Sequence, residues 1–131
     1  MIYLIDTQIL IWSLVNPPKL SDATQKKLKE NTIWASQVSL YEIAIKQKIG
    51  KLPEFDITTR ALVQQMERDG FHLLPLSNEH IAAYQDIPLQ NNHRDPFDRL
   101  ILATSLAENI PVISADTNFK LYTSYIQLVE N

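Results

Sequence analysis

The sequence predicts an α/β domain in which a parallel β-sheet is covered by helices on both faces. Short apolar runs with strand character alternate along the chain with longer segments that have helical spacing or capping residues. Strands that alternate with helices pair in parallel through right-handed crossovers. The runs at Leu4-Ile5 and Val112-Ile113 are apolar at consecutive positions, as expected of strands that are buried on both sides.

The amino-terminal elements have clear ends. The first strand is predicted over Ile2–Ile5, and a helix follows over Asp6–Val15. Asn16-Pro17-Pro18 closes that helix, because proline has no backbone N–H and clashes with the preceding turn. A second helix is predicted over Ser21–Asn31, with Ser21 as its N-cap.

Two glycines mark helix ends in the middle of the chain. The strand Ile33–Ser36 precedes a helix predicted over Val38–Ile49, which ends at Gly50. A further helix, Ile57–Asp69, ends at Gly70. Glycine often follows the last helical residue because it adopts the left-handed conformation without steric cost.

The second half of the chain continues the alternation. A strand, two helices and two further strands are predicted, in that order, over Phe71–Leu76, Asn78–Asp86, Phe97–Asn109, Pro111–Ser114 and Tyr125–Val129. The sequence has no repeat, linker or low-complexity segment, so we predict a single domain over residues 1–131.

The composition is that of an ordinary globular protein. Apolar residues make up 45% of the 131 residues, and charged residues make up 21%. The absence of cysteine excludes disulfides and thiolate metal sites and fits a reducing compartment, so we expect a cytoplasmic protein. Asp6 interrupts the apolar start, which therefore indicates a buried strand instead of a signal peptide. No apolar stretch is long enough for a membrane span.

The charge distribution gives a weaker signal. The net charge of −3 argues mildly against nucleic-acid binding, because phosphates are normally neutralised by a positive surface. A metal site, however, concentrates acidic residues and lowers the total. Basic residues form two local clusters, at Lys26, Lys27 and Lys29 and at Lys46, Lys48 and Lys51. The simplest interpretation of these clusters is that they are solvated helix faces.

Two aspartates directly follow predicted strands. Asp6 follows the first strand, and Asp116 comes just after Val112-Ile113-Ser114-Ala115. In open α/β sheets, ligands bind at the carboxyl ends of the strands, so the two carboxylates are expected to approach each other at one edge. Each aspartate also has a simpler explanation, as the N-cap of the next helix or as a turn residue.

Glu42 lies among mostly apolar neighbours in the segment Ser39–Lys46. A buried glutamate needs a partner, and Lys46, four residues later, can supply one in the favourable orientation. Two interpretations therefore stay open for Glu42: a surface ion pair, or a metal ligand that points inward from its helix.

The segment His93–Arg99 is the most informative in the chain. Pro96 suits the first position of a helix, and Asp95 suits its N-cap. Asp98 would lie in the first turn, where the helix dipole favours a negative charge. Asp95 thus has a complete explanation as a cap, and Asp98 is the stronger candidate ligand.

The acidic residues suggest a metal site when they are taken together. An oxygen-only cluster would be formed by Asp6, Glu42, Asp98 and Asp116. Oxygen ligands suit Mg²⁺ or Mn²⁺ and argue against Zn²⁺. Crowded carboxylates repel one another unless a cation neutralises them. Such a site can activate water for in-line attack on a phosphodiester and stabilise the leaving oxygen.

At these residues the sequence resembles the PIN-domain nucleases. Leu4-Ile5-Asp6-Thr7-Gln8-Ile9-Leu10 is similar to the first motif of that family, and Ser39–Lys46 followed by Gly50-Lys51-Leu52 is similar to the second. His93-Arg94-Asp95-Pro96-Phe97-Asp98-Arg99 resembles the HRDPFDR signature of one subgroup of VapC-like toxins. Ile113-Ser114-Ala115-Asp116 is similar to the fourth motif. The resemblance covers nearly the whole chain, with the motifs in the family's order.

The resemblance implies a fold, an activity and partners. The fold would be a three-layer α/β/α domain with a five-stranded parallel sheet in the order 3-2-1-4-5. The activity would be that of a Mg²⁺- or Mn²⁺-dependent endoribonuclease, usually the toxin of a toxin–antitoxin pair. Besides RNA, the partners would be a second copy in a homodimer and a cognate antitoxin, which lays an amphipathic segment in a groove.

The resemblance also assigns roles to individual residues. Matched position by position, the catalytic and metal-binding acids are Asp6, Glu42, Asp98 and Asp116. The residues expected to support these acids are Thr7, Ser114, Asp95, Arg94 and Arg99. The two arginines would contact phosphate or pair with a neighbouring aspartate. For three large side chains core packing is expected, with a partner contact as the alternative: Trp12, Trp34 and Tyr41.

Two other functions are compatible with parts of the pattern. A phosphoaspartate receiver or phosphatase also has aspartates at strand ends. A phosphatase of the haloacid-dehalogenase kind, however, needs an aspartate where this chain has Gln8, and a receiver needs an acidic pair where it has only Asp6. A catalytically silent partner-binding module is the second alternative, and the presence of all four acids counts against it.

Overall fold

The computed structural model describes all residues of the chain, Met1–Asn131. Five strands form one parallel sheet: β1 (Ile2–Ile5), β2 (Thr32–Ser36), β3 (Phe71–Leu74), β4 (Val112–Ser114) and β5 (Leu128–Glu130). The helices are α1 (Thr7–Val15), α2 (Asp22–Glu30), α3 (Gln37–Lys48), α4 (Thr59–Arg68), α5 (Asn78–Tyr84) and α6 (Pro96–Glu108). Short 3₁₀ helices cover Pro17–Lys19 and Thr117–Tyr122.

The strand order is β3-β2-β1-β4-β5, and every pair is parallel. This is the predicted α/β fold with the predicted order. Helices α1, α3 and α4 pack on one face of the sheet, and α5 and α6 pack on the other. β1 lies at the centre and serves both cores, because successive side chains of a strand point to opposite faces. Tyr3 and Ile5 join the first core, whereas Leu4 joins the second.

The predicted boundaries agree with the structure to within two residues, except at the start of β5. That strand begins at Leu128 and not at Tyr125. The backbone N–H groups of Tyr125 and Ile126 donate to the carbonyl of Tyr122, at 2.8 and 3.1 Å, and so belong to a turn. The end of β3 at Leu74 follows from Pro75, which has no N–H to donate to a neighbouring strand.

The helix ends follow the predicted capping residues. Ser21 accepts a hydrogen bond from the backbone of Thr24 at 3.1 Å, as an N-cap should. Gly50 and Gly70 have φ of +76° and +79°, the left-handed conformation that glycine adopts freely. None of the helices is both long and apolar enough to span a lipid bilayer.

The large side chains divide between core and surface. Trp12 packs against the first core and Trp34 against the second, both partly buried. Tyr41, for which core packing was expected, is 64% exposed, so that prediction is wrong. The ring of Tyr41 points outward from α3 and meets the edge of Phe97, with ring centroids 6.0 Å apart.

Candidate metal centre

An open cavity of about 230 Å³ lies at the carboxyl edge of the sheet. Its position follows from the register of the central strands, in which Ile5 of β1 is paired with Ile113 of β4. The residues that follow these partners, Asp6 and Ser114, are therefore neighbours. All the predicted acids line the cavity: Asp6, Glu42, Asp98 and Asp116. They reach it from the end of β1, from α3, from α6 and from the segment after β4.

Asp6 is both a helix cap and a wall of the cavity. Its Oδ1 accepts a hydrogen bond from the backbone of Ile9 at 2.8 Å, and its Oδ2 accepts one from Ser114 Oγ at 2.5 Å. Burial raises the pKa of Asp6 to about 7, and the charges of Asp98 and Asp116 act in the same direction. The two hydrogen bonds lower the pKa and only partly offset this effect.

Glu42 is buried and held on both oxygens. Thr7 Oγ1 donates to Oε1 at 2.6 Å, and Lys46 Nζ lies 2.8 Å from Oε2. The ion pair with Lys46 is therefore formed, with Glu42 itself buried, and the same glutamate lines the cavity, where the metal-ligand interpretation stays a prediction. Partial burial lowers the pKa of Lys46, but the hydrogen bond and charge of Glu42 outweigh it, so that pKa lies above its usual value. Lys46 is thus a fixed positive charge at the rim.

Asp98 lies in the first turn of α6, as predicted. Its pKa is raised to about 6, mainly by burial, and the nearby charges of Asp95, Glu42 and Asp116 act in the same direction. A contact of 3.2 Å between Asp98 Oδ2 and His93 Nε2 lowers the pKa and partly compensates. Asp98 is therefore crowded by other carboxylates on several sides.

Asp95 caps α6 and Asp116 caps the 3₁₀ helix Thr117–Tyr122, and both line the cavity. Asp95 Oδ1 accepts the backbone N–H of Phe97 at 2.8 Å, which confirms its role as the N-cap of α6. Asp116 Oδ1 accepts the backbone N–H of Asn118 at 2.9 Å. The N–H of Asp116 donates to Ser114 Oγ at 3.0 Å, so this serine ties Asp6 and Asp116 together.

Two trios of side chains have ligand atoms within 4.8 Å of one another. One consists of Glu42, Asp95 and Asp98, and the other of His93, Asp98 and Asp116. Asp98 is common to both trios. Asp6 lines the same cavity but belongs to neither, so the acids do not form the single four-oxygen ligand set expected from the sequence.

The sequence reasoning assigned no role to His93. This histidine is buried, with Nδ1 2.7 Å from the hydroxyl of Tyr122 and Nε2 facing Asp98. The feature of the sequence that could have indicated a role for His93 is its place in the segment His93–Arg99, five positions before Asp98. Ser39 was also missed, and its hydroxyl lies 2.9 Å from that of Thr7.

The two arginines expected to support the acids do not line the cavity. Arg99 is 2% exposed, and its guanidinium donates to the carbonyls of Ile87 and Pro88, each at 2.9 Å. Arg99 therefore forms no pair with an aspartate, and its buried guanidinium holds the segment between α5 and α6. Arg94 is exposed.

The donor set fits a divalent cation. Carboxylate oxygens dominate both trios, and the trio of Glu42, Asp95 and Asp98 is made of oxygens alone, which suits Mg²⁺ or Mn²⁺. Burial is the main cause of the raised pKa values of Asp6 and Asp98, and the charges of neighbouring acids add to it, so a cation would stabilise the ionised carboxylates. No buried side-chain nitrogen or oxygen lacks a hydrogen-bond partner, so the side chains around the cavity are held in place.

Comparisons with known proteins agree with this architecture. A family model described as PIN domain matches residues 3–123. Among solved structures, the chain is similar to VapBC2 from Rickettsia felis bound to a DNA fragment from its promoter, with a TM-score of 0.68, 18% identity and coverage of 100% of this chain and 99% of that one.

Two further structures are similar over a comparable length. VapBC-1 from nontypeable Haemophilus influenzae has a TM-score of 0.65 at 22% identity, covering 99% of this chain and 98% of that one. VapBC-5 from Mycobacterium tuberculosis, of the VapBC family of toxin–antitoxin systems, has a TM-score of 0.63 at 14% identity, covering 98% and 96%. No curated protein matches the sequence.

Proposed function

The chain belongs to the PIN domain family, and from this membership and the geometry of the cavity we propose that it is a Mg²⁺- or Mn²⁺-dependent endoribonuclease. The observation that carries the proposal is the position of Asp98 in two overlapping trios of potential ligands. Either trio would hold a cation through Asp98, with Glu42 and Asp95 or with His93 and Asp116 as the other ligands.

The protein side chains have distinct tasks in this proposal. Hydrogen bonds from Thr7 and Ser114 orient Glu42 and Asp6 toward the cavity. The bound cation would activate a water molecule and offset the negative charge that develops on the phosphate oxygens. Lys46, whose ammonium stands at the rim of the cavity, supplies a positive charge for the incoming phosphate.

Single-stranded RNA labelled at one end tests the activity directly. We expect cleavage by the purified full chain with Mg²⁺ or Mn²⁺ and none with EDTA. Asp98→Asn and Asp6→Asn should each lower the rate by at least about 100-fold. Asp86→Asn is the matched control, because Asp86 is exposed and does not line the cavity. Full cleavage by Asp98→Asn, or cleavage that persists in EDTA, would refute the proposal.

The proposal extends to the biological role. The solved neighbours named above are VapBC complexes, one of them described as a toxin–antitoxin system, which supports a VapC-like toxin that pairs with a cognate antitoxin. We propose further a single domain over residues 1–131, a cytoplasmic location and a homodimer. Induced expression should arrest growth, and Asp98→Asn should abolish the arrest. Light scattering of the purified chain tests the dimer.

The phosphoaspartate alternative is poorly supported. A phosphatase of the haloacid-dehalogenase kind needs a second aspartate two residues after the nucleophile, and after Asp6 that position is Gln8. A catalytically silent module would have no use for several acids around one cavity, two of them with pKa values raised by burial and by the charges of their neighbours.

A further inference from the structure

A second cavity, which we call the Trp12 groove, opens beside the acidic cavity and runs along α1. Three residues line both cavities: Gln8, Ile11 and Trp12. The groove then continues past Val15, and its other wall is the segment 51–55. Gln8 and Val15 are two turns apart on one face of the helix, about 10 Å along its axis. The groove thus leads away from the acidic cavity without a break.

The groove combines an aromatic ring with two lysines. Trp12 is partly buried, and Lys19 Nζ lies 5.8 Å from the centre of its ring. Lys51 lies on the opposite wall, and both lysines are exposed. Neither forms a salt bridge, and the ion-paired lysines of this chain are Lys46 and Lys120. Two positive charges are therefore available to a ligand.

The charge of the lining distinguishes this groove from its neighbour on the other side of α1. That neighbouring cavity is lined by three acidic residues and no basic one: Glu54, Asp56 and Asp69. Glu54 also reaches the Trp12 groove, where the two lysines outnumber it. An anionic chain that leaves the acidic cavity along α1 is thus attracted toward Lys19 and Lys51 and repelled from the adjoining cavity.

We propose that the Trp12 groove binds the nucleotide next to the cleaved phosphate of a single-stranded RNA substrate. The base would stack on Trp12, and the neighbouring phosphates would contact Lys19 and Lys51. An aromatic platform with flanking cations is the usual means of binding single strands without sequence preference. The volume of about 390 Å³ lies within the range of small-ligand sites. This inference rests on the proposed function.

RNA fits the groove better than a protein segment for two reasons. A polymer whose phosphate lies in the acidic cavity must continue into an adjoining opening, and the Trp12 groove shares three lining residues with that cavity. The unpaired lysines also match the charge of a phosphate backbone. The flexible stem of Lys19 allows its ammonium to move from the ring of Trp12 to a phosphate.

Tryptophan fluorescence tests the stacking, because the chain has two tryptophans. All variants carry Asp98→Asn, which keeps the RNA intact. In Trp34→Phe the remaining tryptophan is Trp12, and we expect saturable quenching by a single-stranded RNA of ten nucleotides. In Trp12→Phe the remaining Trp34, which packs against the second core away from the groove, should not respond. Absence of quenching in Trp34→Phe would overturn the proposal even if other variants fail to fold.

Affinity for the same RNA, measured by anisotropy, tests the charges. Trp12→Leu should weaken binding by about 5- to 100-fold, the range seen for single stacked bases. Lys19→Ala and Lys51→Ala should each reduce the slope of log K against log salt by about 0.7. Lys26→Ala is the control, since Lys26 is exposed on α2 and outside the groove.

The outcomes separate this inference from the proposed function. If Trp12→Leu, Lys19→Ala and Lys51→Ala have the same RNA affinity and salt slope as the Lys26→Ala control, the RNA assignment is overturned. A protein segment would then be the better candidate for the ligand of the groove. Binding that depends on Trp12 and both lysines, combined with no metal-dependent cleavage by the chain with Asp98 intact, would sink the ribonuclease proposal but support the nucleotide site.

Discussion

His93 Nε2 lies 3.2 Å from Asp98 Oδ2, and this contact joins the acidic cavity to a buried chain of hydrogen bonds. The other ring nitrogen of His93, Nδ1, lies 2.7 Å from the hydroxyl of Tyr122. The guanidinium of Arg99 donates to that hydroxyl at 3.4 Å. Nε2 can donate to the Asp98 carboxylate while Nδ1 accepts from Tyr122; were Nε2 to bind a cation, Nδ1 would carry the proton and donate it to Tyr122. In either tautomer the Tyr122 hydroxyl sets the orientation of the ring.

Tyr122→Phe should therefore weaken metal binding from a distance. The change removes the hydroxyl that orients His93 and leaves Nδ1 without a hydrogen-bond partner. Loss of such an outer partner typically costs about 10- to 100-fold in metal affinity. Calorimetric titration with Mn²⁺ measures the effect. Tyr125→Phe is the matched control, because Tyr125 is 46% exposed and lies outside the acidic cavity. Equal Mn²⁺ affinities would contradict the orienting role.

The metal-free protein should lose stability as the pH rises from about 4 to about 7. Asp6 has a pKa near 3.8 when unfolded and about 7 when folded, so the folded state binds this proton more tightly. Its contribution is complete below pH 3.8 and disappears as the pH passes 7, a loss of at most about 4 kcal/mol. Asp98 acts in the same direction. Urea unfolding in EDTA at pH 5.5 and pH 8 measures the difference.

Asp6→Asn provides the control for this pH dependence. An amide cannot titrate, so the variant should lose less stability than the native chain between pH 5.5 and pH 8. It should also be the more stable of the two metal-free proteins at pH 8. The same loss in both proteins would show that Asp6 is not the group responsible.

Mg²⁺ or Mn²⁺ should stabilise the protein more at pH 8 than at pH 5.5. Protons compete with the cation for Asp98, and a protonated Asp6 contributes no negative charge to the cavity; their pKa values of about 6 and about 7 lie between these conditions. At a free-ion concentration of about 100 times Kd, the cation adds about 2.7 kcal/mol to the free energy of unfolding. Thermal unfolding with and without the ion measures the shift in Tm. Equal shifts at both pH values would argue against a carboxylate site.

Arg99→Met should destabilise the fold by about 3 to 5 kcal/mol, because it strips the carbonyls of Ile87 and Pro88 of their buried donors. Lysine at position 99 should not rescue stability, since it cannot reproduce the planar fork that spans two carbonyls. Arg94→Ala, at an exposed position of the same segment, should change stability by less than about 0.5 kcal/mol. Chemical unfolding of the three variants decides between a structural and a surface role for Arg99.

The sequence was sufficient to predict the sheet and the convergence of the acids. Asp6 and Asp116 follow strands that are adjacent in the sheet, and parallel pairing brings their ends to one edge. The position of His93 was beyond such reasoning, because it lies in a segment without periodicity. The contact that orients its ring comes from Tyr122, 29 residues further along the chain.

The exposure of single side chains was equally hard to predict. Tyr41 lies between Leu40 and Glu42, both of which are buried, and only the packing of α3 against the sheet determines that the ring of Tyr41 faces outward. The separation of Asp6 from both trios depends on distances of a few ångströms, which no residue spacing encodes. The sequence suggested that Arg99 contacts phosphate. Its guanidinium instead donates to the carbonyls of Ile87 and Pro88, because the segment after α5 folds over it.

The insertion of β1 between β2 and β4 has a consequence for protein synthesis. A nascent chain that has emerged from the ribosome only as far as α5 carries Asp6 and Glu42 but neither Asp98 nor Asp116, and β1 still lacks one neighbour. Such a chain has no complete trio and so cannot bind the ion through one. The first trio, Glu42, Asp95 and Asp98, becomes available only with α6, and the second, His93, Asp98 and Asp116, only after β4 docks beside the first strand. A cation site would therefore arise late in synthesis, after translation has passed Asp98.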